Sequence, residues 1–198
     1  MPNYIKNKIE IIGNEKQVIE VIDSISGTYD NGAIMHIDFN KIIEMPEGLN
    51  IPSTSWLSSL ENPYSANDSF KETVDNLKKF IDNGEGREGN IEDFISGVKN
   101  YLEHGHATWL TWSRENWGTK WNALEPEKLN ENTIVFETAW SGIPELIEVL
   151  SKKFPLVKSI YKLSDEDTGC NCGIGTVENG VSDFSRLENS TIEAYELA

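Results

Sequence analysis

Basic side chains, cysteine and long apolar runs are all scarce in this chain, and each scarcity excludes something. Seventeen Lys and Arg stand against thirty-three Asp and Glu, a formal charge of −16 over 198 residues. Nucleic acids and anionic membranes are bound largely through lysines and arginines that neutralise phosphate, so this balance argues against direct contact with either. There are two cysteines, Cys170 and Cys172, one residue apart, too few for a disulfide framework and too close for an easy bridge to each other. No apolar run approaches the roughly eighteen residues of a membrane span, and the opening Met-Pro-Asn-Tyr-Ile-Lys-Asn-Lys has no secretory character. A reducing, cytoplasmic setting is expected. With 38% apolar and 10% aromatic residues, the chain has ample material for a core.

Periodicity places the elements. Residues 4–12 alternate, with Ile5, Ile9 and Ile11 on one side and Lys6, Lys8 and Glu10 on the other, as in a half-buried strand. Asn14 with Gln17 forms a capping-box signature ahead of Val18, Val21, Ile22 and Ile25, which predicts a helix over 14–26. Residues 33–43 read as a second strand, stopped at Met45-Pro46. In the second half, 133–140 is a β-branched and aromatic strand, Pro144 opens a helix over 143–154, and strands follow near 157–163 and 170–178. Asn179-Gly180 is the dipeptide of a type I′ hairpin turn, leading to a last short strand near 181–187 within a C-terminal hairpin and tail over about 170–198. Two βαβ units predict an α+β domain with a ferredoxin-like split-βαβ antiparallel sheet and its helices on one face.

Residues 46–132 read as a helical insertion between the two halves of this single domain. It opens with a Pro-, Ser- and Asn-rich loop, followed by helices over about 69–81 and 90–102 that are separated by the glycine-rich linker 83–89. Four of the six tryptophans, Trp109, Trp112, Trp117 and Trp121, then fall within thirteen residues, with Asn116 and Lys120 among them. Aromatic faces beside amide and cationic groups suit a recognition platform. The plainer account is that the rings bury a joint between insertion and sheet, with Gly118 making a tight turn that serves either role.

Several strings carry a resemblance. Asn3-Tyr4 with Asn7, Ile9, Ile11 and Gly13, then Phe39-x-Lys41-Ile42-Ile43-x-Met45-Pro46, then Asn116-Trp117-Gly118-Thr119-Lys120-Trp121 occur in that order. They are followed by Phe136-Glu137-Thr138-Ala139-Trp140-Ser141, by Leu150-Ser151 with Phe154-Pro155, and by Asp165-Glu166-Asp167-Thr168-Gly169-Cys170-Asn171-Cys172-Gly173. Together they resemble the YubB-like ferredoxin-like family of phage- and plasmid-encoded proteins. Outside 47–105 and the tail after about Gly180, the resemblance covers nearly the whole chain; Ile5 departs from the small or sulfur-bearing residue expected there. It implies a ferredoxin-like fold and a mobile-element origin, and no established activity.

Other chemical constellations are sparse. His104-x-His106 and Cys170-x-Cys172 supply zinc-type donors, at a spacing narrower than structural zinc sites use, so no metal is expected and the cysteines read as small apolar residues. Gly173-Ile174-Gly175 lacks the helix that a dinucleotide fingerprint requires, and no cofactor is expected. Asp165, Glu166 and Asp167 do not have calcium-loop spacing. From Ser164 to Ala198, eight acids stand against Arg186 alone, a net −7. Fixed carboxylates of this kind speed association with a basic protein and can imitate a phosphate backbone. The expectation is a non-enzymatic module that binds a macromolecule such as a basic host protein, through the tryptophan segment or through Asp165, Glu166 and Asp167. The rival is a small enzyme or ligand-binding domain with a pocket between segment 109–121 and the sheet, using Lys120, His104 or Glu115.

Overall fold

The computed structural model describes residues 3–54, 57 and 91–197. The chain forms two compact units, unit 1 comprising Met1–Glu44 with Glu115–Ala198 and unit 2 comprising Met45–Arg114. Residues 115–132, read from the sequence as part of the insertion, belong to unit 1.

Unit 1 begins with β1 (Tyr4–Ile12), whose inward side chains Ile5, Asn7, Ile9 and Ile11 are buried while Lys6 and Lys8 are exposed. Helix α1 (Glu15–Ile25) follows, closed at its start by the reciprocal bonds of Asn14 and Gln17 that define a capping box. Val18, Val21, Ile22 and Ile25 are its buried stripe. The chain then makes a two-stranded ribbon, β2 (Gly27–Thr28) with β3 (Ile34–Met35), and a short helix α2 (Phe39–Ile42).

The strand expected over 33–43 is therefore absent from the main sheet. Asp38 caps α2 by accepting from Asn40 N, and Asn122 Oδ1 accepts from Phe39 N at 2.8 Å, so side chains satisfy the backbone that a ladder would otherwise have used. Phe39 and Ile42 remain buried, now on a helix.

The sheet is completed by β4 (Leu124–Asn130), β5 (Thr133–Ala139), β6 (Lys158–Asp165), β7 (Gly173–Glu178), β8 (Val181–Ser182) and β9 (Ser185–Arg186). Its order is β4-β5-β1-β6-β7-β8, with β9 also on β7 and every described pairing antiparallel. β5 and β6 flank β1 and are joined by α3 (Pro144–Lys153), which makes one split βαβ unit. The other is β1-α1-β4, with β5 lying between its strands. The fold is α+β and ferredoxin-like, and the strand that closes the first unit is β4, not 33–43. The helical insertion thus interrupts the first unit between α1 and β4.

One face of the sheet carries the core. Phe39 of α2 meets Phe136 edge-on at 5.8 Å, Ile143 N before α3 donates to Tyr161 Oη at 2.8 Å, and α1 packs on α2, so these helices share that face. Asn179 (φ +48°) and Gly180 (φ +76°) form the hairpin turn that joins β7 to β8. A terminal helix, α4 (Ile192–Leu197), buries Ala194.

Unit 2 contains a 3₁₀ turn at Glu47–Leu49 and the helix Ile91–His104, with a further helix, Trp109–Asn116, running across the boundary between the units. Buried Asn100 donates to Gly48 O at 2.6 Å and to Ala107 O at 3.2 Å, satisfying two carbonyls outside its helix. The helix expected over 69–81 and the linker 83–89 lie outside the described residues. Among the described residues, no helix is long and apolar enough to cross a membrane.

Candidate functional site

The tryptophan segment divides between the units. Trp109 and Trp112 belong to unit 2, where Trp112 is buried. Asn116, Trp117, Lys120 and Trp121 belong to unit 1. There the string Asn-Trp-Gly-Thr-Lys-Trp works chiefly as a staple. Buried Trp117 donates through Nε1 to Ile43 O at 2.9 Å and meets Phe39 edge-on at 5.9 Å. Buried Thr119 donates to Ala139 O at 2.9 Å, and Gly118, at φ +78°, offers its carbonyl to Ser141 Oγ at 2.5 Å. The motif therefore ties α2, the end of β5 and the approach to α3 together. Lys120, whose ammonium lies 4.5 Å from the Trp121 ring centroid, and Trp121 itself are only half-buried.

The acidic trio is also partly committed. Asp165 accepts from Asp167 N and from Asn171 Nδ2, both at 3.3 Å, and so shapes the β6-β7 loop. Glu166 accepts from Tyr4 N at 3.3 Å and donates its own N–H to Tyr4 O at 3.1 Å, while Asp167 is exposed. Buried Cys172 points its Sγ at Cys170 O and Ala194 O, each at 3.4 Å, under α4. His106 Nδ1 lies 3.2 Å from Thr111 Oγ1 in unit 2, and His104 ends the helix Ile91–His104. Among the described residues, no group of three or more His, Cys, Asp or Glu is placed to hold a metal. The Gly173/Gly175 pair makes room for Phe184, whose ring and backbone occupy the space that Cβ atoms would take, and this explains the two glycines without any phosphate.

Beneath the helices lies a buried polar network. Tyr161 Oη donates to Asn7 Oδ1 at 2.5 Å and accepts from Ile143 N; Asn7 Nδ2 donates to Ile5 O and Thr138 Oγ1, both at 2.8 Å; and Thr138 Oγ1 donates to Ser141 O at 2.6 Å. Burial pushes the Tyr161 hydroxyl well above the usual tyrosine range. The Cys172 thiol is raised by burial first and then by Cys170 and Asp165. Asp183 is held below the usual carboxylate range chiefly by the Thr176 backbone N–H that it accepts. Each of these groups has a structural partner.

The opposite face of the sheet is the more open surface, and sequence reading alone does not assemble it. Directly paired residues share a face. Register therefore aligns Glu127, Val135, Lys8, Lys162 and Ile174 in one row and Glu137, Lys6 and Ser164 in the next. A groove of about 400 Å³ lies over these rows, with Leu197 of α4 also on its wall. Its carboxylates, Glu125, Glu127 and Glu137, stand on β4 and β5, and its ammonium groups, Lys6, Lys8 and Lys162, on β1 and β6. Among the described residues no carboxylate comes within ion-pair reach of those three lysines.

The second half of this geometry has known relatives. Residues 116–198 match the family described as the ferredoxin-like domain in Api92-like protein. The crystal structure of the protein api92 from Yersinia pseudotuberculosis is similar to this chain at 12% identity and a TM-score of 0.44, covering 97% of this chain and 100% of that one. No curated protein matches.

Proposed function

We propose that this chain is a non-enzymatic module that binds another protein, working in the cytoplasm and originating in a mobile element of the phage or plasmid kind. The observation that carries the reading is the separation between perturbed chemistry and accessible surface. A catalytic pocket usually gathers titratable groups of displaced pKa in a cleft. Here Tyr161, Cys172 and Asp183 have displaced values, none of them lines the open-face groove, and each is occupied by structural hydrogen bonds. What the groove offers instead is a broad charged surface.

The charge of −16 favours a partner with a basic surface and a salt-sensitive on-rate, and the net −7 after Ser164 supports the companion idea of a carboxylate surface that imitates nucleic acid. Tagged full-length chain used for affinity capture from its host should retain a basic protein whose association slows as salt rises. Capture of nucleic acid alone, or turnover of a small molecule by the purified chain, would contradict the reading.

A further inference from the structure

The open-face groove contains an arrangement that folding alone does not favour. Lys8 and Lys162 are directly opposite in the β1-β6 register, and Lys6 lies diagonal to Lys162 on the same face. Like charges directly opposite on neighbouring strands are destabilising. Unit 1 has eleven basic side chains against twenty-two acidic ones, and three of those eleven gather on this face; Glu137 is directly opposite Lys6 in the β1-β5 register, yet no carboxylate of the described residues lies within ion-pair distance of the three. Glu127 and Glu137 line the other side of the same groove.

We propose that this groove docks a short peptide segment of a partner protein whose acidic side chains meet Lys6, Lys8 and Lys162 and whose adjoining basic side chains meet Glu127 and Glu137. The proposal rests on the reading of the chain as a protein-binding module and adds the chemistry of the segment it receives. Charge complementarity selects the occupant. A uniformly anionic strand such as a nucleic acid would lie over the glutamates of β4 and β5 as well as the lysines, whereas a segment divided by charge satisfies both halves. From β4 to β6 there are three strand spacings, about 14 Å, which roughly four extended residues can span. Val135 and Leu197 give the stems of long side chains an apolar wall. Docking by strand addition at the β4 edge is hindered, since Pro126 brings no N–H and Lys128 places a charge there.

The test uses the full chain and four labelled probes: a peptide with a glutamate block followed by a lysine block, an all-glutamate peptide, an all-lysine peptide, and an oligothymidylate. Polarisation titrations should show the divided peptide binding best. Amide resonances of Lys6, Lys8, Val135 and Lys162 should shift with it, and affinity should fall about tenfold or more in the double variant Lys8→Glu with Lys162→Glu. The double variant Glu127→Lys with Glu137→Lys should instead gain affinity for the all-glutamate peptide, which keeps the proposal testable if the first variant folds poorly. Equal binding of the oligothymidylate or the all-glutamate peptide, shifts mapping away from this face, or no binding of the divided peptide would overturn it. Capture from the host separates the two levels. A partner held equally by native chain and lysine variant would overturn the groove while leaving the protein-binding reading intact, and capture of no protein would remove that reading itself.

Discussion

Strand β1 meets two different demands on its two sides. Inward, Ile5, Ile9 and Ile11 are fully buried, and Asn7 sits among them with its amide group satisfied by Ile5, Thr138 and Tyr161. Outward, Lys6 and Lys8 are exposed and stand beside Lys162, and although Glu137 is directly opposite Lys6, none of the three is in an ion pair among the described residues. The inward side follows the rule that buried polar groups are hydrogen-bonded. The outward side keeps like charges together where a neutral pair would be more stable. The contrast teaches that the two faces of one sheet answer to different constraints, and on the proposal that the lysine face docks a partner, substitutions on the two faces should have separable effects.

The largest expected effect is on the inward face. Phe136 is buried and packs against Phe39, so Phe136→Ala should cost about 3–5 kcal/mol in denaturant unfolding, through lost burial and a cavity. A loss below about 1 kcal/mol would mean that this face is not the core. Asn7→Ala comes next, at roughly 1–3 kcal/mol, because it leaves the Tyr161 hydroxyl and the Thr138 hydroxyl short of partners in a buried site. Alkaline unfolding sharpens the same point. With the folded value of Tyr161 raised, the unfolded chain releases this proton first, so stability should fall as pH climbs above the usual tyrosine value of about 10. Tyr161→Phe should remove that part of the slope, and an unchanged slope would show that Tyr161 is not the group responsible. The smallest effect, and the one of opposite sign, belongs to the outward face. Lys162→Glu should raise stability by about 0.2–1 kcal/mol at low salt, by replacing a like-charge pair with an opposite one. A loss of stability would break the comparison.

What the sequence made legible follows from the range of each signal. Local signals were read directly: the Asn14/Gln17 capping box, Pro144 at the start of α3, the Asn179-Gly180 turn and the alternation of β1 are all present. Segment 33–43 misled because Ile37, Phe39 and Ile42 are buried in either conformation, and the bond that decides for a helix start comes from Asn122, eighty-three positions away. Strand β4 was missed because Leu-Glu-Pro-Glu-Lys-Leu-Asn is charged and contains a proline, which suits the sheet edge it occupies and conceals a strand signal. The tryptophan string was visible as a unit, but whether its rings were core or surface depended on partners such as Ile43 and Ala139. The lysine cluster joins residues about 155 positions apart through strand register, and no local pattern encodes that.

The central claim joins an observation, that the helix-covered face holds the fold, to a proposal, that the lysine-glutamate face docks the partner. Its most direct test measures unfolding free energy and binding of the charge-divided peptide together, in Asn7→Ala and in Lys8→Glu with Lys162→Glu. The account predicts that Asn7→Ala loses stability while the folded protein still binds the peptide, and that the lysine variant, which exchanges one like-charge pair for another, changes stability little while losing binding about tenfold. If the lysine variant unfolds more easily and binds as well as the native chain, the two faces do not divide the work in this way.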